Sequence, residues 1–247
     1  MFELLQTGYY GAPAYSGVSL SGMYLIMIAI AVVGYIVQAR LQSVFAKYSE
    51  VPMPNGLTGA EMAEKMLRDN RIYNVKVTHV EGHLTDHFNP ATMTVNLSDS
   101  VYSSRSVAAA AVACHECGHA LQHAEGYAPL VLRSQLVPVV SFSSRAAFIV
   151  ILAGIALMAA TQNEIVCWIG IGMIAMSALF SLVTLPVEYN ASARALAWLS
   201  SSRTLEGSQL DGARVALRWA ARTYLVAAIS ALATVLYYVI LIFGRRR

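Results

Sequence analysis

Four long apolar runs interrupt the chain, at about 20–37, 137–160, 165–187 and 223–243. A helix needs roughly 20 mostly apolar residues to cross a bilayer, and the third and fourth runs meet that length cleanly. The first is slightly short. The second carries Pro138 near its start and Arg145 inside it, and is uninterrupted only from Ala146. Arg145 either snorkels to an interface or marks a later start of the span. Only Thr161-Gln162-Asn163-Glu164 separates the second run from the third, which predicts a tight helical hairpin.

Residues 1–19 precede the first run as an N-terminal segment. Residues 38–136 are more polar and long enough for a small domain. Within them, Thr58-Gly59-Ala60-Glu61 has the capping-box pattern and predicts a helix ending near Asn70. Val75 and Val77 alternate with polar neighbours, as do Met93, Val95 and Leu97. Each set predicts a short strand, with a turn at Asn89-Pro90 between them. The Ala-rich stretch from Ser106 to His123 has high helix propensity. A second polar, helical segment follows at 188–222. The pattern predicts a mainly α, polytopic helical membrane protein with a small α+β domain.

Composition agrees. Hydrophobic residues make up 57% of the 247 and charged residues 13%, against about 25% charged in ordinary soluble domains. The net charge is only +3, with no basic patch interleaved with aromatics, so nucleic acid is not an expected partner. The flank before the first run lacks Lys and Arg, unlike a signal peptide, so that run is read as retained. Arg40 and Lys47 follow it. Five arginines, at 194, 203, 214, 218 and 222, follow the third run, and the 161–164 tip has none. The positive-inside rule therefore places the N-terminus outside, and 38–136 and 188–222 at the cytoplasmic face of the cell membrane. Arg245-Arg246-Arg247 conflicts: either the fourth run spans despite these charges or it does not cross fully.

His115-Glu116-Cys117-Gly118-His119 supplies the candidate chemistry. Histidines four apart lie one above the other on a helix face, so both imidazoles reach one Zn2+. Glu116 sits beside them as a general base for a water that the metal acidifies. A domain carrying this motif is zincin-like. The rival reading of two incidental histidines leaves three polar groups unexplained in an apolar setting.

A catalytic zinc needs a third protein ligand. His123 continues the i, i+4 series but lies about 12 Å along the axis from His115, so a straight helix cannot offer both to one ion. It is read as solvent-facing or supporting. Glu188 closes the third apolar run on the side assigned to the motif, where an ionisable residue commonly has a functional partner. An interfacial pair with Arg194 is the bland alternative. Glu164 lies at the opposite end of that run. Cys117 projects about 160° from His115 and is read, with Cys114, as packing. An odd count of three cysteines gives no disulfide framework. His79, His83, Asp86 and His87 form a polar cluster, read either as loop and strand-end groups or as an extra metal site.

Several segments together resemble a known family. They are Gly82-His83-Leu84-Thr85-Asp86-His87-Phe88-Asn89-Pro90, Thr94-Val95-Asn96-Leu97-Ser98, the helix from Ser106 through Gln122, and Leu185-Pro186-Val187-Glu188-Tyr189-Asn190-Ala191-Ser192-Ala193-Arg194-Ala195-Leu196. The family is the bacterial membrane-bound neutral zinc metallopeptidases of the YugP type, more distantly similar to HtpX-like membrane proteases. The resemblance implies zinc on His115, His119 and Glu188, with Glu116 as base. Asn190 stands where the family usually carries an Asp. It still accepts a hydrogen bond but supplies no charge.

The expected activity is hydrolysis of polypeptides, from membrane or misfolded proteins, by zinc-activated water. The other function class considered is a non-catalytic scaffold stabilised by zinc. For a further oxyanion donor the sequence offers Tyr189, Arg194, His83 and His123 without choosing among them. The strand at 93–97 is a candidate for pairing with an extended substrate.

Overall fold

A computed structural model describes residues 20–243, with side chains from Gly22 to Ile242. The N-terminal segment and Arg245-Arg246-Arg247 lie outside the described residues, as does the charge conflict they raise. The described elements are α1 (Leu20–Ser49), α2 (Gly59–Asp69), β1 (Lys76–Val80), β2 (His87–Asn89), β3 (Thr94–Ser98), α3 (Asp99–Tyr102), α4 (Val107–Ala124), α5 (Ala128–Thr161), α6 (Ile165–Ser201) and α7 (Gly207–Phe243).

The helices α1, α5, α6 and α7 are each long and apolar enough to cross a membrane. All four run past the limits of the apolar runs. α5 begins nine residues before position 137, α6 continues beyond Glu188 to Ser201, and α7 starts well before position 223. These polar extensions carry the small domain: Leu196, Trp198 and Leu199 of α6, with Leu210, Ala213 and Leu217 of α7, pack into the same core as α2, α4 and β3. A loss of lipid-like composition therefore does not end a helix here, because its buried face changes from lipid to protein. The chain is a polytopic helical membrane protein with a small α+β domain.

Within that domain the local signals act as sequence chemistry dictates. The Thr58 backbone N–H donates to Glu61 at 2.7 Å, and the Glu61 N–H donates back to the Thr58 hydroxyl at 3.2 Å. That reciprocal cap starts α2, which buries Met62, Ala63, Met66 and Leu67. The Ser106 hydroxyl caps α4 by accepting from the Ala109 N–H. The alanines of α4 let neighbours approach from every side, and the helix is buried from Val107 through Ala111.

The sheet order is β1-β3-β2, with β3 parallel to β1 and antiparallel to β2. β3 is thus the central strand, paired on both sides. That corrects the expectation that 93–97 offers a free edge to substrate. The edge toward α4 belongs to β2, which ends at Asn89, within the predicted turn. Three residues were too short a run to show alternation. Met93 is not in the strand but precedes it in the left-handed region, at φ 53°.

The helical hairpin expected at 161–164 joins α5 to α6, with Gln162 left-handed at φ 60° as the cap. A Cβ on Gly154 would lie 2.7 Å from the Cys167 backbone nitrogen, so small residues allow the two helices to touch.

Candidate metal centre

α4 and α6 cross so closely that Gly118 has no room for a side chain. A Cβ there would stand 2.5 Å from the Ala191 carbonyl oxygen. This contact brings the face of α4 bearing His115 and His119 against the turn of α6 bearing Glu188. The Nε2 atoms of His115 and His119 lie 3.2 and 3.5 Å from one oxygen, Oε2 of Glu188. The candidate donor atoms of the three residues all fall within 4.8 Å of one another. Ligands bonded tetrahedrally at about 2.0–2.1 Å stand roughly 3.3–3.4 Å apart, so the spacing fits a zinc-sized ion. Two imidazoles and a carboxylate are also a donor set of catalytic zinc, which leaves a position open.

The far nitrogens of both rings have partners. Nδ1 of His115 lies 3.1 Å from the Ser192 hydroxyl, and Nδ1 of His119 lies 3.0 Å from Gln122 Oε1. An amide oxygen only accepts, so this contact places a proton on His119 Nδ1 and leaves Nε2 as the nitrogen that faces the centre. Gln122 is itself immobilised. Its amide nitrogen donates to the Val187 carbonyl at 2.8 Å and to Asn190 Oδ1 at 3.0 Å. Asn190 Oδ1 accepts in addition from Arg194 Nε at 2.7 Å, and the Arg194 fork holds Glu125 through two bonds of 2.6 and 2.7 Å. A continuous polar chain therefore links His119 to the surface.

Burial decides the electrostatics. Glu188 is 2% exposed, and it stands against both imidazoles and the Arg133 guanidinium, 3.5 Å from Oε1. Desolvation lowers the pKa of His119, but its hydrogen bond to the Glu188 carboxylate and the charges of Glu116 and Glu188 outweigh it, and the net shift is upward. Burial pushes the thiols of Cys114 and Cys117 up. Cys117 points away from the centre, with Sγ 3.5 Å from the Ala63 carbonyl.

Glu116 sits outside the donor set, on the wall of a cleft of about 380 Å³ that also includes His119, His123, Arg133, Glu188 and Tyr224. Its Oε2 accepts the Phe88 N–H at 3.0 Å. The outer edge of β2 therefore faces this carboxylate. His123 is exposed and its ring packs on Phe88 at 5.7 Å between centroids. Three other sequence candidates stand elsewhere. Tyr189 is 47% exposed and does not line the cleft. Arg194 is held by Glu125 and Asn190, and His83 lies in a separate apolar groove beside Leu41 and Phe45 of α1. The histidine cluster does not converge. His79 pairs with Asp99 at 2.5 Å, Asp86 accepts from Ser98, and His87 bonds Thr85 and Asn96.

Four participants escaped the sequence reading. Gln122 is three residues after His119 and Ser192 four after Glu188, so helical spacing alone could have found them. Arg133 and Tyr224 come from α5 and α7, and no local signal ties them to the motif.

Fold and site together describe a membrane protein in which two histidines and one carboxylate converge as a group that could hold a metal ion. The family model described as "Putative neutral zinc metallopeptidase" matches residues 23–243. The chain belongs to this family, whose metal is Zn2+. It is 41% identical over 228 residues, 91% of this chain and 99% of the relative, to "Putative membrane protease YugP" of Bacillus subtilis (strain 168). No solved structure gives a significant match.

Proposed function

We propose that this protein is an endopeptidase in which His115, His119 and Glu188 hold Zn2+ and Glu116 is the general base. The observation that carries the reading is the convergence of both Nε2 atoms on Glu188 while Glu116 stays free of that set, facing the cleft. Zinc bound there would supply Lewis acidity toward a peptide carbonyl and toward water. Glu116, anchored by the Phe88 N–H, takes a proton from the attacking water and returns it to the leaving amine. Gln122 and Ser192 hold the imidazole orientations. An extended substrate lies along the outer edge of β2, the strand whose side away from β3 borders the cleft.

The arginine distribution supports a cytoplasmic cleft, with the spans at about 20–37, 137–160, 165–187 and 223–243. Leu130, Val137 and Tyr224 bring helices that span the bilayer into the cleft wall, which suits membrane-proximal polypeptides.

Glu116→Gln keeps an acceptor for the Phe88 N–H and removes the base. Zinc content and expression should persist while cleavage of an unfolded casein-like protein stops; equal cleavage by the variant would sink the proposal. A non-catalytic zinc scaffold predicts instead that wild type binds zinc, cleaves nothing, and unfolds on chelation.

A further inference from the structure

The cleft that holds Glu116 contains three carboxylates, those of Asp86, Glu116 and Glu188, and a single Lys or Arg among the described residues, Arg133. Asp86 is turned aside, with its two oxygens accepting from the backbone N–H and hydroxyl of Ser98 at 2.7 and 2.9 Å. The carboxylates nearest the reacting groups are therefore Glu116 and Glu188. Neither offers a positive charge to a peptide carbonyl oxygen as water adds to it.

Arg133 is placed to offset this. It lies on the second turn of α5, one turn after Leu130 in the cleft wall, and its side chain is 30% exposed. Its Nη1 is 3.5 Å from Glu188 Oε1, close enough for attraction and too long for a good hydrogen bond. It donates no hydrogen bond to another described residue. Glu188 does not depend on it for partners, because both imidazoles and the Tyr224 phenol stand beside the same carboxylate. A guanidinium carries five N–H donors and stays charged at any working pH. Here those donors are held in the cleft by one loose ion pair.

We propose that Arg133 is a catalytic residue of this cleft, its guanidinium donating to the carbonyl oxygen of the scissile peptide bond as negative charge develops there. No bond to Arg133 forms or breaks; it acts by hydrogen bonding and charge in a partly desolvated site. The proposal rests on the peptidase reading above. It replaces the sequence candidates Tyr189, Arg194 and His83, which do not line the cleft.

The test uses full-length protein in lipid nanodiscs, loaded with Zn2+, as wild type, Arg133→Lys and Arg133→Ala. Four quantities are measured: zinc affinity by chelator competition, affinity for a short phosphinic peptide by calorimetry, and kcat and KM on a peptide with a free or an amidated C-terminus. The phosphinate mimics the tetrahedral oxyanion. Arg133→Ala should lower kcat about 10²–10³-fold, the usual effect of removing one oxyanion donor. KM and zinc affinity should change little. Phosphinic-peptide affinity should fall in step with kcat, and Arg133→Lys should recover part of both.

A fall in zinc affinity that accounts for the lost activity would make Arg133 a support of Glu188 and overturn the proposal. A loss confined to the free-carboxylate peptide would make it a C-terminal anchor, with the same consequence. Unchanged kcat and phosphinate binding would also refute it. A wild-type protein that binds Zn2+ but neither cleaves peptide nor binds the phosphinate overturns the peptidase reading itself.

Discussion

Gly118→Ala adds one methyl group inside the motif, at a position that bears no donor atom. In an ordinary helix interior the change would stabilise by about 0.8–1 kcal/mol, because alanine has the higher helix propensity. Here the sign reverses. The new Cβ would lie 2.5 Å from the Ala191 carbonyl oxygen and 3.0 Å from the Ala191 Cα, both backbone atoms that no rotamer change can move. Restoring ordinary contact with the carbonyl oxygen, at 3.4 Å or more, requires α4 and α6 to part locally by about 0.9 Å. That displacement falls on Glu188 and Ser192, which straddle Ala191, whereas metal–ligand distances tolerate only about ±0.2 Å.

Overpacking of this kind costs about 1–3 kcal/mol. At about 1.4 kcal/mol per factor of ten, expression of that strain at the metal weakens zinc binding roughly 5–150-fold. Chelator competition on purified protein measures it directly, with the melting temperature read in the presence and absence of zinc. Gly172→Ala in α6 is the control, since a Cβ there meets nothing within 4 Å. Zinc affinity in Gly118→Ala equal to wild type, with undiminished cleavage, would refute the claim that this helix contact sets the donor geometry.

Two further outcomes follow from the polar chain behind His119. Gln122→Met removes the acceptor for His119 Nδ1 while keeping the buried volume, and should weaken zinc binding about 10–100-fold, the usual penalty for losing an outer partner of a ligand; unchanged affinity would mean that the ring is oriented by packing alone. The Arg194 guanidinium holds the Glu125 carboxyl below the usual carboxylate range. Its folded pKa is thus below its unfolded one, and the stabilisation is complete above the unfolded pKa and disappears as pH falls through the folded one. Glu125 is 57% exposed, so the pair contributes at most about 1 kcal/mol. Glu125→Gln should lower the melting temperature slightly near neutral pH and abolish its difference from wild type in acid; a constant difference across the range would contradict the assignment.

What the sequence disclosed depended on the distance over which each signal acts. The cap at Thr58-Glu61, the hairpin at 161–164 and the strand at 94–98 are local, and were legible. The limits of α5, α6 and α7 were not, since hydropathy reports the solvent of a face rather than the continuity of a helix. β2 was hidden by its three-residue length, and the centrality of β3 by the fact that pairing partners are chosen across the chain. At the site, His115, Glu116 and His119 announce themselves through spacing on one helix. Glu188 required an argument from topology together with family resemblance. Arg133 and Tyr224 enter from helices whose approach is set by tertiary packing alone.

The division of the donor set between α4 and α6 has a consequence in time. His115 and Glu188 are 73 residues apart in the chain. During synthesis the two histidines are made first, and the carboxylate follows only after α5 and the hairpin turn. Under the proposed function, until α6 is in place the growing chain holds two of the three metal ligands and a base with no centre to act beside. On the proposed reading, zinc capture would wait for α6 to pack on α4, so an unfinished or wrongly inserted copy would stay inert toward its neighbours.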